Sequence, residues 1–213
     1  MSIVNNLDKI KNSIPRNVTL VAVSKTKSES EILEAYNVGQ RIFGENKVQE
    51  LVKKSDKLPK DIQWHMIGHL QSNKVKYIAP FVSLIHGVDS LKLLKEINKR
   101  AEQNNRVIDC LLQVHIASES TKFGFELAEI DLALTDVKQF KNINIKGLMG
   151  MATFTDDETQ ISNEFSSANE FFDKIKNENI NILSIGMSGD YQIAIKNGST
   201  MIRVGSAIFG ARN

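Results

Sequence analysis

Eight short apolar runs recur along this chain, each followed by residues with helical spacing. The runs are Leu20–Ser24, Arg41–Phe43, Gln63–Ile67, Val82–His86, Ile108–His115, Ile145–Met149, Ile182–Ile185 and Met201–Val204. Several are solidly apolar instead of alternating, which predicts parallel strands covered on both faces. The intervening stretches carry apolar stripes at a 3.6-residue period. Ile3, Leu7, Ile10 and Ile14 mark an opening helix. Ser28 and Glu31 form a capping box ahead of Ile32, Leu33 and Tyr36. Asp89 is placed to cap a helix carrying Leu91, Leu94, Ile97 and Ala101. Leu127, Ile130, Leu134 and Val137 form the next stripe, and Asp156 or Asp157 starts one with Ile161, Phe165, Ala168, Phe172 and Ile175. Ser188 is placed to cap the last full helix and Gly198 to end it. This repetition predicts an α/β fold, a single (β/α)8 barrel. An open doubly wound sheet has the same alternation, because periodicity does not report closure.

A length of 213 residues with 41% hydrophobic content suits one domain over residues 1–213 with a substantial core. A net charge of +2 supplies no basic field for nucleic acid. No run of 18 apolar residues predicts a membrane span, and Met1 to Asp8 lack the apolar core of a signal peptide. The single cysteine, Cys110, lies in an apolar run and reads as a small buried hydrophobe. A cytoplasmic location is the expectation.

In either fold the ligand lies at the carboxyl ends of the strands. Lys25 leaves the first run, Gly44-Glu45-Asn46 follows the second, and Ser188-Gly189 and Gly205-Ser206 follow the last two. Two Gly/Ser turns after successive strands can aim backbone N–H groups and hydroxyls at one small anion. In a closed barrel the first strand neighbours the eighth, which brings Lys25 to the same mouth. A lysine facing an anion pocket points to a phosphorylated aldehyde held as a Schiff base. The plain alternative for Lys25 is a packed stem with its head in water. Lys27 is either a second cation that lowers the Lys25 pKa or a solvated side chain. The turns read equally as helix caps and loop punctuation, and Asn46 as a cap for the helix after the second strand. Arg203 sits inside an apolar run, where a permanent charge needs an acceptor. It faces either outward among helices or inward at a ligand ring nitrogen.

Other chemistries fit poorly. His65 and His69 are four apart, but Gly68 breaks the helix that a metal pair would need. The segment from Gly186 to Asp190 lacks the second glycine of a nucleophile elbow. Neither a phosphate-binding Gly-Lys-Ser/Thr loop nor a dinucleotide glycine fingerprint occurs.

Taken together, several motifs resemble the pyridoxal phosphate homeostasis protein family, the YggS/PROSC-like group. They are Ala22-Val23-Ser24-Lys25-Thr26-Lys27, Phe43-Gly44-Glu45-Asn46-Lys47-Val48-Gln49-Glu50, and Trp64 through Lys74. Lys122-Phe123-Gly124, Gly147-Leu148-Met149, Met187-Ser188-Gly189-Asp190 and Gly198 through Gly210 continue the series in order. The resemblance implies a barrel like the N-terminal domain of alanine racemase (PLP fold type III), without a second β domain. It also implies pyridoxal 5'-phosphate (PLP) bound as a Schiff base on Lys25. The family's phosphate contacts fall on Ser188, Gly205 and Ser206, its ring-nitrogen arginine on Arg203, and a pocket-lining position on Asn46. A further family lysine falls on Lys122. Where the family often has proline after Ser-Lys-Thr-Lys, this chain has Ser28, an alternative way to open a helix.

The resemblance implies a protein that holds PLP, buffers its free level and passes it to apo PLP enzymes, with a monomer expected and no robust turnover. An amino-acid racemase is the alternative. It needs an acid on each face of the substrate α-carbon. Two-domain racemases take one such group from a second domain, for which no sequence is expected beyond Asn213. A Schiff-base aldolase acting on a sugar phosphate would use the same lysine and anion pocket.

Overall fold

The computed structural model describes residues 2–117 and 124–210. Its strands are β1 (Thr19–Val23), β2 (Ile42–Glu45), β3 (Gln63–Met66), β4 (Leu84–Val88), β5 (Ile108–Gln113), β6 (Ile143–Met149), β7 (Ile182–Ser184) and β8 (Met201–Val204). They close into a parallel barrel in sequence order, β8 pairing with β1 so that Val21 lies opposite Arg203. Closure excludes the open sheet. The helices are α1 (Ile3–Ser13), α2 (Glu29–Asn37), α3 (Val48–Lys57), α4 (Val75–Ile78), α5 (Leu91–Gln103), α6 (Ile130–Val137), α7 (Glu158–Ile175), α8 (Tyr191–Lys196) and α9 (Ser206–Phe209). Among the described residues, no helix is long and apolar enough to cross a membrane.

The strand period of two divides the core in two. Val21, Leu84, Leu111, Met149 and Met201 point inward and fill the barrel. Their neighbours Ala22, Ile85, Leu112, Leu148 and Ile202 point outward and pack with the helices, together with Phe43, Trp64 and Phe165. Both faces are therefore apolar, as the solid strand runs require. Cys110 is buried, and burial raises its thiol pKa, so it stays protonated and packs as a hydrophobe.

Helix starts follow the sequence in part. Ser28 and Glu31 make the expected capping box. Asp157 caps α7 by accepting from the N–H groups of Thr159 and Gln160. Ser90, not Asp89, caps α5, because the Asp89 carboxylate is engaged by His69 at 3.0 Å. The fourth strand begins two residues later than expected. The Val82 N–H closes the turn after α4 by donating to Ile78 O at 2.9 Å, and Arg106 takes the Val82 carbonyl. His86 consequently lies inside β4 and not at its end.

Candidate functional site

Lys25, Asn46, Ser188, Arg203, Gly205 and Ser206 line one cavity of about 380 Å³ at the carboxyl end of the barrel. Val23, Lys27, Ile67, Met151, Phe154, Met187, Gly189 and Gly210 complete its wall. The volume falls within the roughly 300–1,000 Å³ of small-molecule sites. Lys122 lies outside the described residues.

Strand alternation delivers Arg203 to the interior. Met201 fills the barrel and Ile202 and Val204 face the helices, so Arg203 points inward, 4% exposed. Its Nη1 donates to the carbonyl of Ser184 at 2.6 Å and to Ser184 Oγ at 2.7 Å, and its Nη2 donates to Gly150 O at 2.9 Å. These three bonds leave Nε–H and one Nη2–H of the five guanidinium donors for the cavity. Burial lowers its pKa to about 10, which leaves it cationic at neutral pH.

The same inner layer carries two histidines. His86 Nδ1 lies 3.2 Å from Ser184 Oγ, and His86 Nε2 lies 3.0 Å from His65 Nδ1. Arginine only donates, so Ser184 Oγ accepts from Arg203 and turns its own proton toward His86 Nδ1. His86 then donates from Nε2 to His65. This assignment satisfies each donor along the row. Burial lowers the His65 pKa to about 3; burial first, with the neighbouring His65 ring and the Arg203 guanidinium adding to it, holds His86 well below its ordinary value. Both are neutral. His69 instead points away to Asp89, so the two histidines of that motif serve separate places.

The two Gly/Ser turns meet. Ser188 does not cap α8; its Oγ accepts from the backbone N–H of Gly205 at 3.0 Å and of Ala207 at 3.4 Å. Two amides from the turn after β8 thus converge on one oxygen from the turn after β7. Gly186 gives the β7 turn its shape: its φ is +95°, and a Cβ there would lie 2.5 Å from Ala194 Cβ. Around Gly189 a Cβ would meet nothing within 4 Å.

Asn46 does not cap α3. Lys47 holds that position without a side-chain bond, and Asn46 faces the cavity. Gly68 sets this placement, since a Cβ there would approach Asn46 O to 2.5 Å. Lys27 is not a loose second cation: its Nζ donates to Phe209 O at 2.9 Å and pairs with Glu31 at 3.4 Å.

The chain matches the family described as alanine racemase, N-terminal domain, over residues 1–213. Proteins named pyridoxal phosphate homeostasis protein are 37% identical in Haemophilus influenzae, covering 100% of this chain and 97% of that protein, and 39% identical in Schizosaccharomyces pombe, covering 92% and 85%. The chain belongs to the pyridoxal phosphate homeostasis protein family. Among solved structures, PipY of Synechococcus elongatus superposes with a TM-score of 0.93 without PLP and 0.89 with PLP bound, at 34% and 33% identity. Each superposition covers 98% of this chain and 100% of PipY. Alanine racemase of Clostridium difficile, 16% identical with a TM-score of 0.78, shares the barrel. This chain spans 57% of that enzyme.

In this family member, sequence reasoning overlooked a second buried network, outside the barrel wall. Glu45 Oε1 accepts from Ser24 Oγ at 2.6 Å and from Lys54 Nζ at 2.7 Å. Its signal was present: Val48, Leu51 and Lys54 share one face of α3, which puts a lysine in an apolar stripe. Phe154, 98% exposed at the cavity rim, and Met151 and Met187 beside it carried no comparable signal.

Proposed function

We propose that this chain holds pyridoxal 5'-phosphate in the cavity as part of intracellular PLP homeostasis, with Lys25 as its covalent anchor. The observation that carries the reading is the meeting of Lys25, Arg203 and the two Gly/Ser turns on one 380 Å³ cavity. The residues fit the group. The hydroxyl protons of Ser188 and Ser206 suit its phosphate, the Gly205 and Ala207 amides fixing Ser188 Oγ in place. Lys25 suits its aldehyde, Arg203 the ring nitrogen and Asn46 the pocket wall. When bound, the cofactor supplies an electrophilic aldehyde carbon. Lys25 is the side chain whose amine would hold the cofactor through that carbon.

Arg203 suits holding better than turnover. A permanent guanidinium at a pyridine nitrogen leaves that nitrogen unprotonated and the ring a weak sink for electrons. Such a site binds well and stabilises carbanions poorly. The name carried by the relatives supports a holding role. Apo PLP enzymes are the recipients that a holding role requires.

Borohydride treatment of the PLP-loaded protein is expected to fix the cofactor mass on the peptide containing Lys25. Lys25→Ala is expected to lose the Schiff-base absorbance and retain weaker, phosphate-anchored binding; unchanged absorbance would remove Lys25 from the role. Steady interconversion of D- and L-alanine by the purified protein would overturn the holding assignment in favour of a racemase. A colourless loaded protein would favour an aldolase.

A further inference from the structure

Period-two alternation places the side chains of Val23 and Lys25 at the cavity and that of Ser24 on the outer face of the wall. Every polar group of Ser24 is held there. Its N–H donates to Gly44 O at 3.0 Å and its Oγ donates to Glu45 at 2.6 Å. Its carbonyl accepts from Lys54 Nζ at 2.8 Å and from the Lys27 N–H at 3.0 Å. Beyond Lys25, Thr26 has φ 65°, a left-handed conformation uncommon for a residue with a branched Cβ. Its N–H donates to Glu50 Oε2 at 2.8 Å, and that same oxygen lies 3.4 Å from Lys54 Nζ. The two peptide groups flanking Lys25 are thus held by side chains that meet at one ammonium.

The arrangement is costly. Glu45 and Lys54 are both buried, and Glu45 Oε2 has no hydrogen-bond partner. Buried ion pairs of this kind contribute little to stability beyond what apolar residues of the same volume would give. A role in geometry accounts for the pair where a role in stability does not.

We propose that Glu45, Lys54 and Glu50 are positioning residues for Lys25, holding the Ser24–Thr26 backbone so that the amine enters the cavity at the angle needed to meet an aldehyde. The inference rests on Lys25 being the covalent anchor. It assigns to the outer side of the barrel wall a share in binding chemistry on the inner side.

The test compares two ligands on the full-length protein. PLP carries the aldehyde; pyridoxine 5'-phosphate has the same ring and phosphate without it. Glu50→Gln, at a partly exposed site, weakens the Thr26 bond and leaves the buried pair in place. It is expected to lower PLP affinity about 10- to 100-fold, the usual cost of a misplaced reacting group. Pyridoxine 5'-phosphate affinity should move less than about threefold, since the anion turns and Arg203 are untouched. Glu45→Gln and Lys54→Met should show the same selective loss where they fold. Equal loss for both ligands would make the network a general scaffold and overturn the inference. So would unchanged PLP affinity in Glu50→Gln. Failure of borohydride to label Lys25 in the wild-type protein would instead remove the anchor itself, and the two failures are read by separate measurements.

Discussion

Two buried polar networks lie on opposite sides of the barrel wall, and they solve the problem of burial differently. Outside, Glu45, Lys54 and Ser24 bury opposite charges against each other. Inside, Arg203 buries one charge against carbonyl oxygens and a hydroxyl, and the histidines beyond it are neutral. The outer network is compensated by charge, so it depends on both partners being present. The inner one is compensated by dipoles, so it depends on protonation state. Both support groups that line the same cavity.

The largest expected effect isolates the outer network. Lys54→Met leaves a buried carboxylate and the Ser24 carbonyl without their cation, and is expected to cost about 3–5 kcal/mol in urea unfolding. Glu45→Leu combined with Lys54→Met should recover most of that loss. A double variant as unstable as the single would mean that the charges are not compensating each other.

Acid should separate the networks by sign. The histidines have folded-state pKa values below 6.5, so the unfolded chain binds more protons as pH falls under 6.5. Their contribution is full above about 6.5 and is lost progressively as pH falls below it, for His65 toward about 3, at up to ~1.4 kcal/mol per pH unit for each titrating site. Glu45 acts oppositely. Burial raises its pKa despite the bonds from Lys54 and Ser24, so its contribution is lost as pH rises through the folded value. Unfolding free energies of the wild type and of His65→Asn with His86→Asn, measured from pH 7 to pH 4, should show a flatter profile in the variant. Parallel profiles would place the acid sensitivity elsewhere.

The smallest effect belongs to the cavity rim. Ser188→Ala removes the acceptor shared by Gly205 and Ala207 where solvent can replace it, and about 0.5–1.5 kcal/mol is expected in thermal unfolding. A cost near that of Lys54→Met would mean that the turn, and not the networks, holds the mouth together.

Much of the fold was legible because strands and helices leave local traces. β8 runs from Met201 to Val204 as its apolar run indicates, and the Ser28 box lies within a single helical turn. The placement of the site residues followed from one rule, that strand ends carry the ligand, applied to Lys25, Ser188 and Gly205. Three capping assignments were misplaced for a common reason. Asp89, Asn46 and Ser188 each had a competing partner or position distant in sequence: His69, the cavity beside Gly68, and the amides of Gly205 and Ala207. Local spacing weighs only local partners.

The amino-acid order by itself determined the alternation of strand and helix, the turn chemistry after β7 and β8, and the lysine that leaves β1. Tertiary structure alone decided that the sheet closes, that Arg203 faces inward, and that Ser24, Glu45 and Lys54 meet behind Lys25. The physical reason is range. Propensity and periodicity act over a few residues, whereas a buried charge takes its partners from whatever the closed barrel brings within about 3 Å.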